Sequence, residues 1–241
     1  MDEERFSRLE RLLGSDALER LHSAHVMIVG IGAVGGWAME ALVRSGVGHL
    51  RLVDFDVVEA SNINRQVIAT VDTLGMKKVD AARDRCLSIW PGCDVQALDV
   101  FVDDENASSL VEGVDIVLDC NDTVMAKVAL IRACQEKDVT IISSMGAAQR
   151  RDLTRIRVSR LSQTHGCPLA RAVRAQARRQ GLSLDVSVVF SDETVDFDYS
   201  GSRIDTDDER RKRTALGSLT TVTAVFGQHM AHEALKRIVS V

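Results

Sequence analysis

A glycine-rich turn near the start of the sequence constrains the fold more than any other feature. It follows the apolar run HVMIVG, from His25 to Gly30, and the glycines Gly30, Gly32 and Gly35 fit the pattern GxGxxG. After a segment with helical spacing, a second apolar run, LRLVDFD, extends from Leu50 to Asp56. The pattern predicts a strand, helix, strand unit whose turn lets the backbone approach a phosphate at the helix N-terminus. The turn alone is a weak signal, because glycines also tighten ordinary strand-to-helix junctions.

Strand and helix patterns alternate along the rest of the chain. Further strands are predicted at Val95 to Val102, Val114 to Asp119, Val139 to Ser143, Thr154 to Val158 and Leu184 to Phe190. Helices are predicted at Trp37 to Arg44, Lys77 to Ile89, Met125 to Lys137, Ala170 to Arg179 and Leu216 to Val239. The alternation predicts the α/β class, with a doubly wound, mainly parallel Rossmann-like sheet and helices on both faces. Residues 192–213, rich in Asp, Ser and Arg, are the expected mobile loop.

The composition excludes several classes of protein. The 241 residues are 45% hydrophobic and 27% charged, as in a globular chain. No apolar run reaches the roughly 18 residues of a membrane-spanning helix, so we expect a soluble, cytoplasmic protein. The five cysteines form no CxxC pair, which argues against a disulfide framework and a four-cysteine zinc site. They are Cys86, Cys93, Cys120, Cys134 and Cys167.

The residues after the second predicted strand favour a triphosphate ligand. Asp54 stands 24 residues after Gly30, where a carboxylate accepts hydrogen bonds from ribose hydroxyls. A nicotinamide dehydrogenase would carry the same acid. It has no need of the polar run SNINRQ, from Ser61 to Gln66, or of the lysine pair that ends at Lys78, because NAD has no γ-phosphate to neutralise. The planar fork of Arg65 and the point charge of Lys78 together suit a triphosphate.

Two acids follow the fourth predicted strand. The segment VLDCNDT contains Asp119 and Asp122, three residues apart. Carboxylate oxygens close to a triphosphate suit Mg²⁺, which keeps several waters and takes one or two protein carboxylates. Taken alone, an aspartate at a strand end is more often a helix N-cap. The neighbouring motifs favour the magnesium interpretation, with Asp122 as the ligand.

Five motifs occur in order: GxGxxG, DFD, SNxNRQ, GxxK and DCxD. They resemble the nucleotide site of the superfamily that contains ubiquitin-activating enzymes and the ThiF-type and MoeB-type adenylating partners of bacterial sulfur-carrier proteins. The resemblance implies ATP with Mg²⁺: Asp54 on the ribose, Asp122 on the magnesium, and phosphate contacts from three further side chains. The implied nucleotide site consists of Gly30, Gly32, Gly35, Asp54, Asp56, Asn62, Arg65, Lys78 and Asp122, of which Asn62, Arg65 and Lys78 bind the phosphates.

The same resemblance implies an arginine near the N-terminus that reaches the triphosphate, often from the partner subunit of a homodimer. The segment RFSRLERLLG offers Arg8 and Arg11. We favour Arg11, because the RLLG that begins there is similar to the RLYG of the tRNA threonylcarbamoyladenosine dehydratase branch. With Arg65, Lys78 and Asp122 it would form the catalytic set that neutralises the transferring phosphoryl group.

The second half of the chain distinguishes the branches of this superfamily. Sulfur-carrier activators commonly hold zinc through two CxxC pairs, which this sequence lacks. Residues Met145 to Gly181 resemble the dehydratase branch, although Leu153 stands where that branch has proline and Cys167 where it often has an acid. The resemblance implies one adenylating domain over residues 1–241. Residues 1–145 would bind nucleotide, and residues 146–241 would bind the substrate and form the dimer.

The reaction implied by this branch is ATP-dependent dehydration, a cyclisation, of N6-threonylcarbamoyladenosine in tRNA through adenylation of its carboxylate. The alternative is an adenylating activator of a ubiquitin-like sulfur-carrier protein, and a nicotinamide oxidoreductase is a distant third. The dehydratase reaction needs no enzyme nucleophile, so a thioester at Cys167 is disfavoured. A sulfur-transfer accessory protein is a further partner that the resemblance allows.

A basic stretch marks the region where tRNA would bind. Residues 150–179 contain nine arginines and one acid, so they carry a formal charge of +8 while the rest of the chain carries −13. This distribution favours one local anionic contact over non-specific coating of nucleic acid. The alternative is that these arginines bind no partner and only form a solvated helix face and an exposed strand. The predicted tRNA contacts are Arg155, Arg157, Arg171, Arg174 and Arg178, and the basic run at residues 210–213 would extend the surface.

Overall fold

The computed structural model describes residues 2–195 and 216–240. In these ranges the chain forms seven strands and eight α-helices. The strands are β1 (His25–Val29), β2 (His49–Val53), β3 (Asp94–Leu98), β4 (Ile116–Asp119), β5 (Thr140–Ser144), β6 (Ile156–Arg160) and β7 (Ser187–Ser191). The helices are α1 (Asp2–Leu13), α2 (Ser15–Ser23), α3 (Gly35–Arg44), α4 (Lys78–Ile89), α5 (Ala107–Leu110), α6 (Val124–Glu136), α7 (Pro168–Arg179) and α8 (Thr220–Val239). None of these helices combines the length and apolar character required to cross a membrane.

The seven strands form one sheet in the order β3-β2-β1-β4-β5-β7-β6. All neighbours are parallel except β6 and β7, which confirms the predicted doubly wound, mainly parallel α/β fold. The register aligns the carboxyl ends: Val29 lies opposite Val53 and Asp119. The chain order reverses between β1 and β4, and ligands of such sheets bind at the carboxyl ends beside this switch point.

Strand β1 explains why both faces of the sheet carry helices. Val26 and Ile28 belong to one hydrophobic core, while Met27 and Val29 belong to the other. All four are buried, because alternate residues of a strand point to opposite faces. The first core is covered by α3, α4 and α8, and the second by α5, α6 and α7.

Helices α1 and α2 pack beside the amino ends of the strands. Phe6 of α1 is buried, and its ring lies edge-on to the rings of His22 and Trp90 at centroid distances of 5.3 and 4.9 Å. His22 precedes β1 and Trp90 precedes β3, so this aromatic cluster lies at the end of the sheet opposite to the ligand-binding edge. Gly14, with a φ of 87°, separates the two helices, which are not among the predicted elements.

The predicted elements are all present, with shifts at their boundaries. Strand β3 ends at Leu98 instead of Val102, because its neighbour β2 ends opposite it at Val53. Strand β7 begins at Ser187 instead of Leu184, because β6 ends opposite it at Arg160. Residues 196–215 lie outside the described residues. Most of the loop predicted at 192–213, and the whole basic run at 210–213, therefore lie outside them too.

Candidate active site

Two glycines of the turn after β1 are required by packing. Gly30 has a φ of 85°, and a Cβ there would lie 2.8 Å from the backbone nitrogen of Asn121. A Cβ on Gly35 would lie 1.9 Å from the carbonyl oxygen of Gly30. These two positions exclude any side chain regardless of a ligand, so their glycines are not in themselves a sign of phosphate binding.

Gly32 is different, because nothing in the fold requires it. A Cβ at this position would meet no atom closer than the Nε2 of Gln66, at 3.9 Å, and its backbone does not adopt a positive φ. The position precedes α3, where backbone N–H groups and the helix dipole favour an anion. The missing side chain therefore leaves an accessible backbone surface at the point where the sequence predicts a phosphate.

Asp54 follows β2 and is fixed against the glycine turn. Its Oδ2 accepts a hydrogen bond from the backbone nitrogen of Ile31 at 2.7 Å, and its Oδ1 accepts one from that of Asp56 at 2.9 Å. Burial raises the pKa of Asp54, although the charge of Lys78 acts in the opposite direction. The two backbone donors hold the carboxylate in one orientation at the sheet edge, where it can accept further hydrogen bonds.

Asp56 and Lys78 form a salt bridge with a Nζ to Oδ2 distance of 2.8 Å. Lys78 begins α4 and is only 6% exposed, whereas the neighbouring Lys77 pairs with Asp99 at the surface. A buried ammonium group is costly without such a partner. An anion that approached here would meet both the Lys78 charge and the N-terminus of α4.

The polar run after β2 packs against the first turn of α3. The indole nitrogen of Trp37 donates to the carbonyl oxygen of Arg65 at 3.3 Å. Gln66 is buried, and its amide nitrogen points towards Gly32. The loop that carries Arg65 therefore lies beside the glycine turn.

The side chains of Arg65 and Asn62 are held by contacts within this loop, whereas the Nδ2 of Asn64 donates to the carbonyl oxygen of Ser218 at 3.3 Å. The Nη1 of Arg65 donates to the carbonyl oxygen of Ser61 at 2.7 Å and to the Oδ1 of Asn64 at 2.8 Å. Asn62 is buried, and its Oδ1 accepts from the backbone nitrogen of Glu59 at 3.2 Å. These contacts fix Arg65 against its own loop, while Asn62 helps to shape that loop.

The structure separates the two acids that follow the fourth strand. Asp119 is fully buried, where its Oδ2 receives hydrogen bonds from Lys127 at 3.0 Å and from Ser143 at 2.5 Å. Asp119 is therefore engaged within the core, and of the two acids only Asp122, the residue predicted to hold magnesium, is open to a ligand. Asp122 is exposed at the same sheet edge. Across the described residues, no three His, Cys, Asp or Glu side chains come together as a metal site.

Two buried cations near the sheet edge are absent from the predicted site. Lys127 lies in the middle of α6 with no exposed surface, and its Nζ also donates to the carbonyl oxygen of Ser144 at 2.7 Å. Arg150 follows β5 and is 2% exposed. A lysine within the apolar run MAKVALI is a usable sequence signal of a buried ion pair, whereas Arg150 cannot be distinguished from its basic neighbours.

Arg8 and Arg11 are both exposed on α1. Phe6 anchors this helix in the aromatic cluster at the amino ends of the strands. The glycine turn lies at the carboxyl ends, so the fold of one chain places α1 towards the opposite end of the sheet. This placement is compatible with an arginine that acts on another subunit.

The predicted tRNA contacts on α7 form a stripe. Arg171, Arg174 and Arg178 are spaced by three and four residues, so they lie on one face of the helix. Arg174 is partly buried, and its Nη1 donates to the carbonyl oxygen of Thr164 at 2.8 Å and to the hydroxyl of the same residue. Burial lowers the pKa of Arg174, as do the neighbouring arginines. Arg171 and Arg178 are the exposed members of the stripe.

Arg155 and Arg157 lie at the edge of the sheet on the α7 side. Arg157 is opposite Phe190 in the β6–β7 register, and Phe190 belongs to the core beneath α7. Both arginines approach Asp192, at distances of 3.8 and 3.6 Å. Such exposed pairs are weak, so the acid reduces the local positive charge without preventing a phosphate contact.

Comparison with known proteins assigns a family to this architecture. The model of the ThiF family matches residues 6–241. The tRNA threonylcarbamoyladenosine dehydratase of Bacillus subtilis (strain 168) is 43% identical over 190 residues, which is 78% of this chain and 75% of that protein. The protein of the same name from Escherichia coli (strain K12) is 34% identical over 252 residues, which is 98% of this chain and 94% of that protein.

Other relatives match less of the chain or add structural detail. A molybdopterin-synthase adenylyltransferase of Salmonella typhimurium (strain LT2) is 38% identical over 148 residues, which is 61% of this chain and 59% of that protein. The crystal structure of the E. coli tRNA N6-threonylcarbamoyladenosine dehydratase in complex with AMP superimposes with a TM-score of 0.88 at 34% identity. The match covers 99% of this chain and 95% of that one. The same enzyme in complex with ATP gives a TM-score of 0.87.

Proposed function

The chain belongs to the ThiF family, and on that premise we propose that it uses ATP to adenylate the carboxylate of N6-threonylcarbamoyladenosine in tRNA and then cyclises that side chain with net loss of water. One observation carries the proposal. The chain matches the E. coli tRNA threonylcarbamoyladenosine dehydratase over 98% of its length. It also brings the open backbone at Gly32, the carboxylate of Asp54 and the Asp56–Lys78 pair together at one sheet edge.

The nucleotide is proposed to bind across this edge. Asp54 would accept hydrogen bonds from the ribose hydroxyls, and the backbone at Gly32 would approach the phosphates. Lys78 is paired with Asp56 at 2.8 Å, and phosphate oxygens would compete for the same ammonium group. Arg65 needs only to exchange contacts within its own loop to add a planar pair of donors.

Asp122 is the residue that would hold Mg²⁺. It is exposed at the edge beside the proposed phosphates, and Asp119 is engaged with Lys127. A single carboxylate fits this ion, because Mg²⁺ usually takes one or two protein carboxylates together with substrate phosphates and waters. The absence of a larger acidic cluster in the described part of the chain agrees with this mode of binding. The bound ion would neutralise charge on the phosphates.

The chemistry then follows from positioning and charge. A carboxylate oxygen of the substrate forms a bond to the α-phosphorus of ATP, and the bond to the bridging oxygen breaks, so pyrophosphate leaves. A nitrogen of the substrate side chain next attacks the acyl carbon, loses its proton and expels AMP with the former carboxylate oxygen. The protein has to align these groups and neutralise charge, tasks for Arg65 and Lys78 that need no covalent intermediate on the enzyme.

Cys167 is not required as a nucleophile. It is 4% exposed and caps α7, where its Sγ accepts a hydrogen bond from the backbone nitrogen of Ala170 at 3.5 Å. This contact explains why a small polar side chain occurs at position 167, since such side chains cap helices. The proposed reaction therefore proceeds without a thioester.

Arg11 is proposed to reach the triphosphate of the partner subunit in a homodimer. The support is its position on α1, which the aromatic cluster holds at the opposite end of the sheet from its own glycine turn. A complementation assay tests this. Arg11→Ala and Lys78→Ala subunits should each be inactive alone, and mixing them should restore turnover, because one site of the mixed dimer then has both cations. No recovery in verified mixed dimers would contradict a role in the partner's site.

Residues 146–241 are proposed to bind the tRNA, and residues 1–145 the nucleotide. The stripe Arg171, Arg174 and Arg178 on α7 and the pair Arg155 and Arg157 lie on the same side of the sheet. Replacing one exposed arginine should lower the slope of binding against salt by roughly 0.7–0.9. Because Arg174 is tied to Thr164, Arg174→Gln should weaken tRNA binding less than Arg178→Gln.

Exchange of labelled pyrophosphate into ATP tests the proposed function directly. Exchange should require N6-threonylcarbamoyladenosine or RNA that contains it, and ubiquitin-like carrier proteins should not support it. Exchange with a carrier protein alone would favour the sulfur-carrier alternative. ATP should also raise the unfolding temperature, whereas NAD should leave it unchanged. Stabilisation by NAD would favour the oxidoreductase alternative.

A further inference from the structure

Arg150 is a buried arginine that forms no salt bridge with any of the residues that the structure describes. It is 2% exposed, and its Nη2 donates a long hydrogen bond of 3.3 Å to the carbonyl oxygen of Gly166. Its Nε and Nη1 are buried and have no hydrogen-bond partner in residues 2–195 and 216–240. Arginine is rarely buried unless paired, because an unpaired buried charge is strongly destabilising. The two nitrogens therefore point to a group that binds from outside the chain.

The loop that carries Arg150 is held in a defined shape. It follows β5, whose last carbonyl, of Ser144, is bound by the Nζ of Lys127. Gln149 adopts a left-handed φ of 64°, and its backbone nitrogen donates to the carbonyl oxygen of Gly217 at 2.9 Å. A left-handed residue other than glycine costs about 1–2 kcal/mol, and such strain is common at functional sites. The loop thus directs Arg150 inwards instead of into solvent.

The N-terminus of α7 forms the opposite wall. Cys167 caps the helix and Pro168 is its first residue, so the positive end of the helix dipole faces the same space as the guanidinium. A cavity of about 10 Å³ lies between them. It is lined by Gly146, Ala148, Gln149, Arg150, Cys167, Pro168, Val195 and Leu216. A space of this size holds about one water-sized group, which suits a single oxygen atom of an anion.

The acid beside this cavity does not pair with Arg150. The Oε2 of Glu193 accepts hydrogen bonds from the backbone nitrogens of Asp152 and Arg151, at 3.0 and 2.9 Å. These bonds lower the pKa of Glu193, and the charge of Arg150 adds to the effect from a greater distance. No hydrogen bond joins the two side chains, so Glu193 does not satisfy the Nε and Nη1 of Arg150.

We propose that Arg150 and the N-terminus of α7 form an oxyanion subsite for the acceptor substrate, separate from the nucleotide site. The identity of the acceptor rests on the proposed function. Strand β5 lies two positions from β1 in the sheet, so its carboxyl end is about 10 Å from that of β1, where the glycine turn begins. Two groups of that acceptor are anions of the kind this subsite would bind. One is a backbone phosphate of the RNA, on the far side of the base and sugar from the reacting group. The other is the threonyl carboxylate.

Kinetics with two acceptors distinguish these sources. Arg150→Met is compared with the wild type and with Arg83→Met, a control at a partly exposed arginine of α4 whose partners are Asp80 and Asp84. We expect Arg150→Met to raise KM for the acceptor about 10- to 100-fold in the pyrophosphate exchange assay, because the acceptor loses one charged hydrogen-bonding partner. If the anion is an RNA phosphate, only an oligoribonucleotide containing N6-threonylcarbamoyladenosine is affected. If it is the carboxylate, the free nucleoside is affected equally.

Two further measurements separate a ligand site from a structural role. The unfolding temperature of Arg150→Met without ligands should be unchanged or higher, since the substitution removes a buried unpaired charge. With AMP saturating the nucleotide site, inorganic phosphate should protect the wild type against unfolding but not Arg150→Met. This binding assay decides the proposal even if no acceptor supports exchange and the proposed function fails.

Three results would overturn the subsite. One is an unchanged acceptor KM together with equal protection of both proteins by phosphate. Another is a marked fall in the unfolding temperature of Arg150→Met, which would make the arginine structural. The third is loss of stabilisation by ATP in Arg150→Met, because the arginine would then belong to the nucleotide site.

Discussion

Gly32→Ala separates the structural demands of the glycine turn from its proposed role in binding phosphate. A methyl group at Gly32 meets no atom closer than 3.9 Å, so the fold accepts it. At a compatible position this change is expected to stabilise the free protein by about 0.4–1 kcal/mol. Gly35→Ala places the methyl carbon 1.9 Å from the carbonyl oxygen of Gly30 and should destabilise the protein strongly.

The loss of ATP affinity follows from the contacts that the Gly32 methyl group blocks. Losing hydrogen bonds to a charged phosphate costs about 1.5–3 kcal/mol, which at its upper end is about 100-fold in affinity. ATP at about 100 times its Kd stabilises the wild type by about 2.7 kcal/mol. The same concentration would stabilise Gly32→Ala by about 0.4 kcal/mol. For a chain of this size, ATP should therefore raise the unfolding temperature of the wild type by roughly 5 to 10 °C and that of Gly32→Ala by about 1 °C.

Thermal unfolding with and without ATP and Mg²⁺ measures both effects on the same sample. Gly217→Ala is the matched control, because a methyl group there meets no atom within 4 Å and the residue is not part of the turn. It should keep the full shift. If Gly32→Ala also keeps the full shift, the backbone at this position does not approach a phosphate and the proposed binding mode is wrong.

Three other substitutions test separate parts of the account. Asp122→Ala should abolish turnover without lowering the unfolding temperature, because the side chain is exposed; unchanged turnover would exclude Asp122 from the mechanism. Cys167→Ser should remain active in pyrophosphate exchange and dehydration, since serine also caps α7; loss of both activities in a folded protein would support a thioester intermediate at Cys167. Burial raises the pKa of Glu40, but hydrogen bonds from Arg85 and Arg44 outweigh it, and the net pKa is below the usual 4.5. The stabilisation by Glu40 is therefore present above about pH 4.5 and is lost as the pH falls through the lower folded pKa. Glu40→Gln should cost about 1–3 kcal/mol at neutral pH and progressively less as the pH falls below about 4.5, as measured by urea unfolding; a cost that does not change with pH would refute this.

Most of the fold could be predicted from local patterns. Strand β1 is a continuous apolar run because both of its faces are covered, and that pattern needs no knowledge of its neighbours. Strand ends depended on partners instead: β3 stops at Leu98 because β2 stops at Val53. Helices α1 and α2 were not predicted, and the break between them depends on Gly14, whose φ of 87° no local sequence pattern reveals.

The candidate site could be predicted where a motif fixes a residue's position, and less well where burial decides its role. Asp54 and Lys78 were placed by their motifs, and the structure brings both to the glycine turn. Asp119 looked equivalent to Asp122 in sequence, but Lys127 and Ser143 draw it into the core. Such long-range partners cannot be read from one sequence.

Isotopic labelling of the acceptor tests the central claim of carboxylate adenylation most directly. N6-threonylcarbamoyladenosine whose carboxylate carries heavy oxygen would be converted with the wild-type protein, ATP and Mg²⁺, and the AMP analysed by mass spectrometry. Adenylation predicts that one heavy oxygen passes from the carboxylate to the AMP. AMP without the label, formed in step with the cyclised product, would contradict the mechanism.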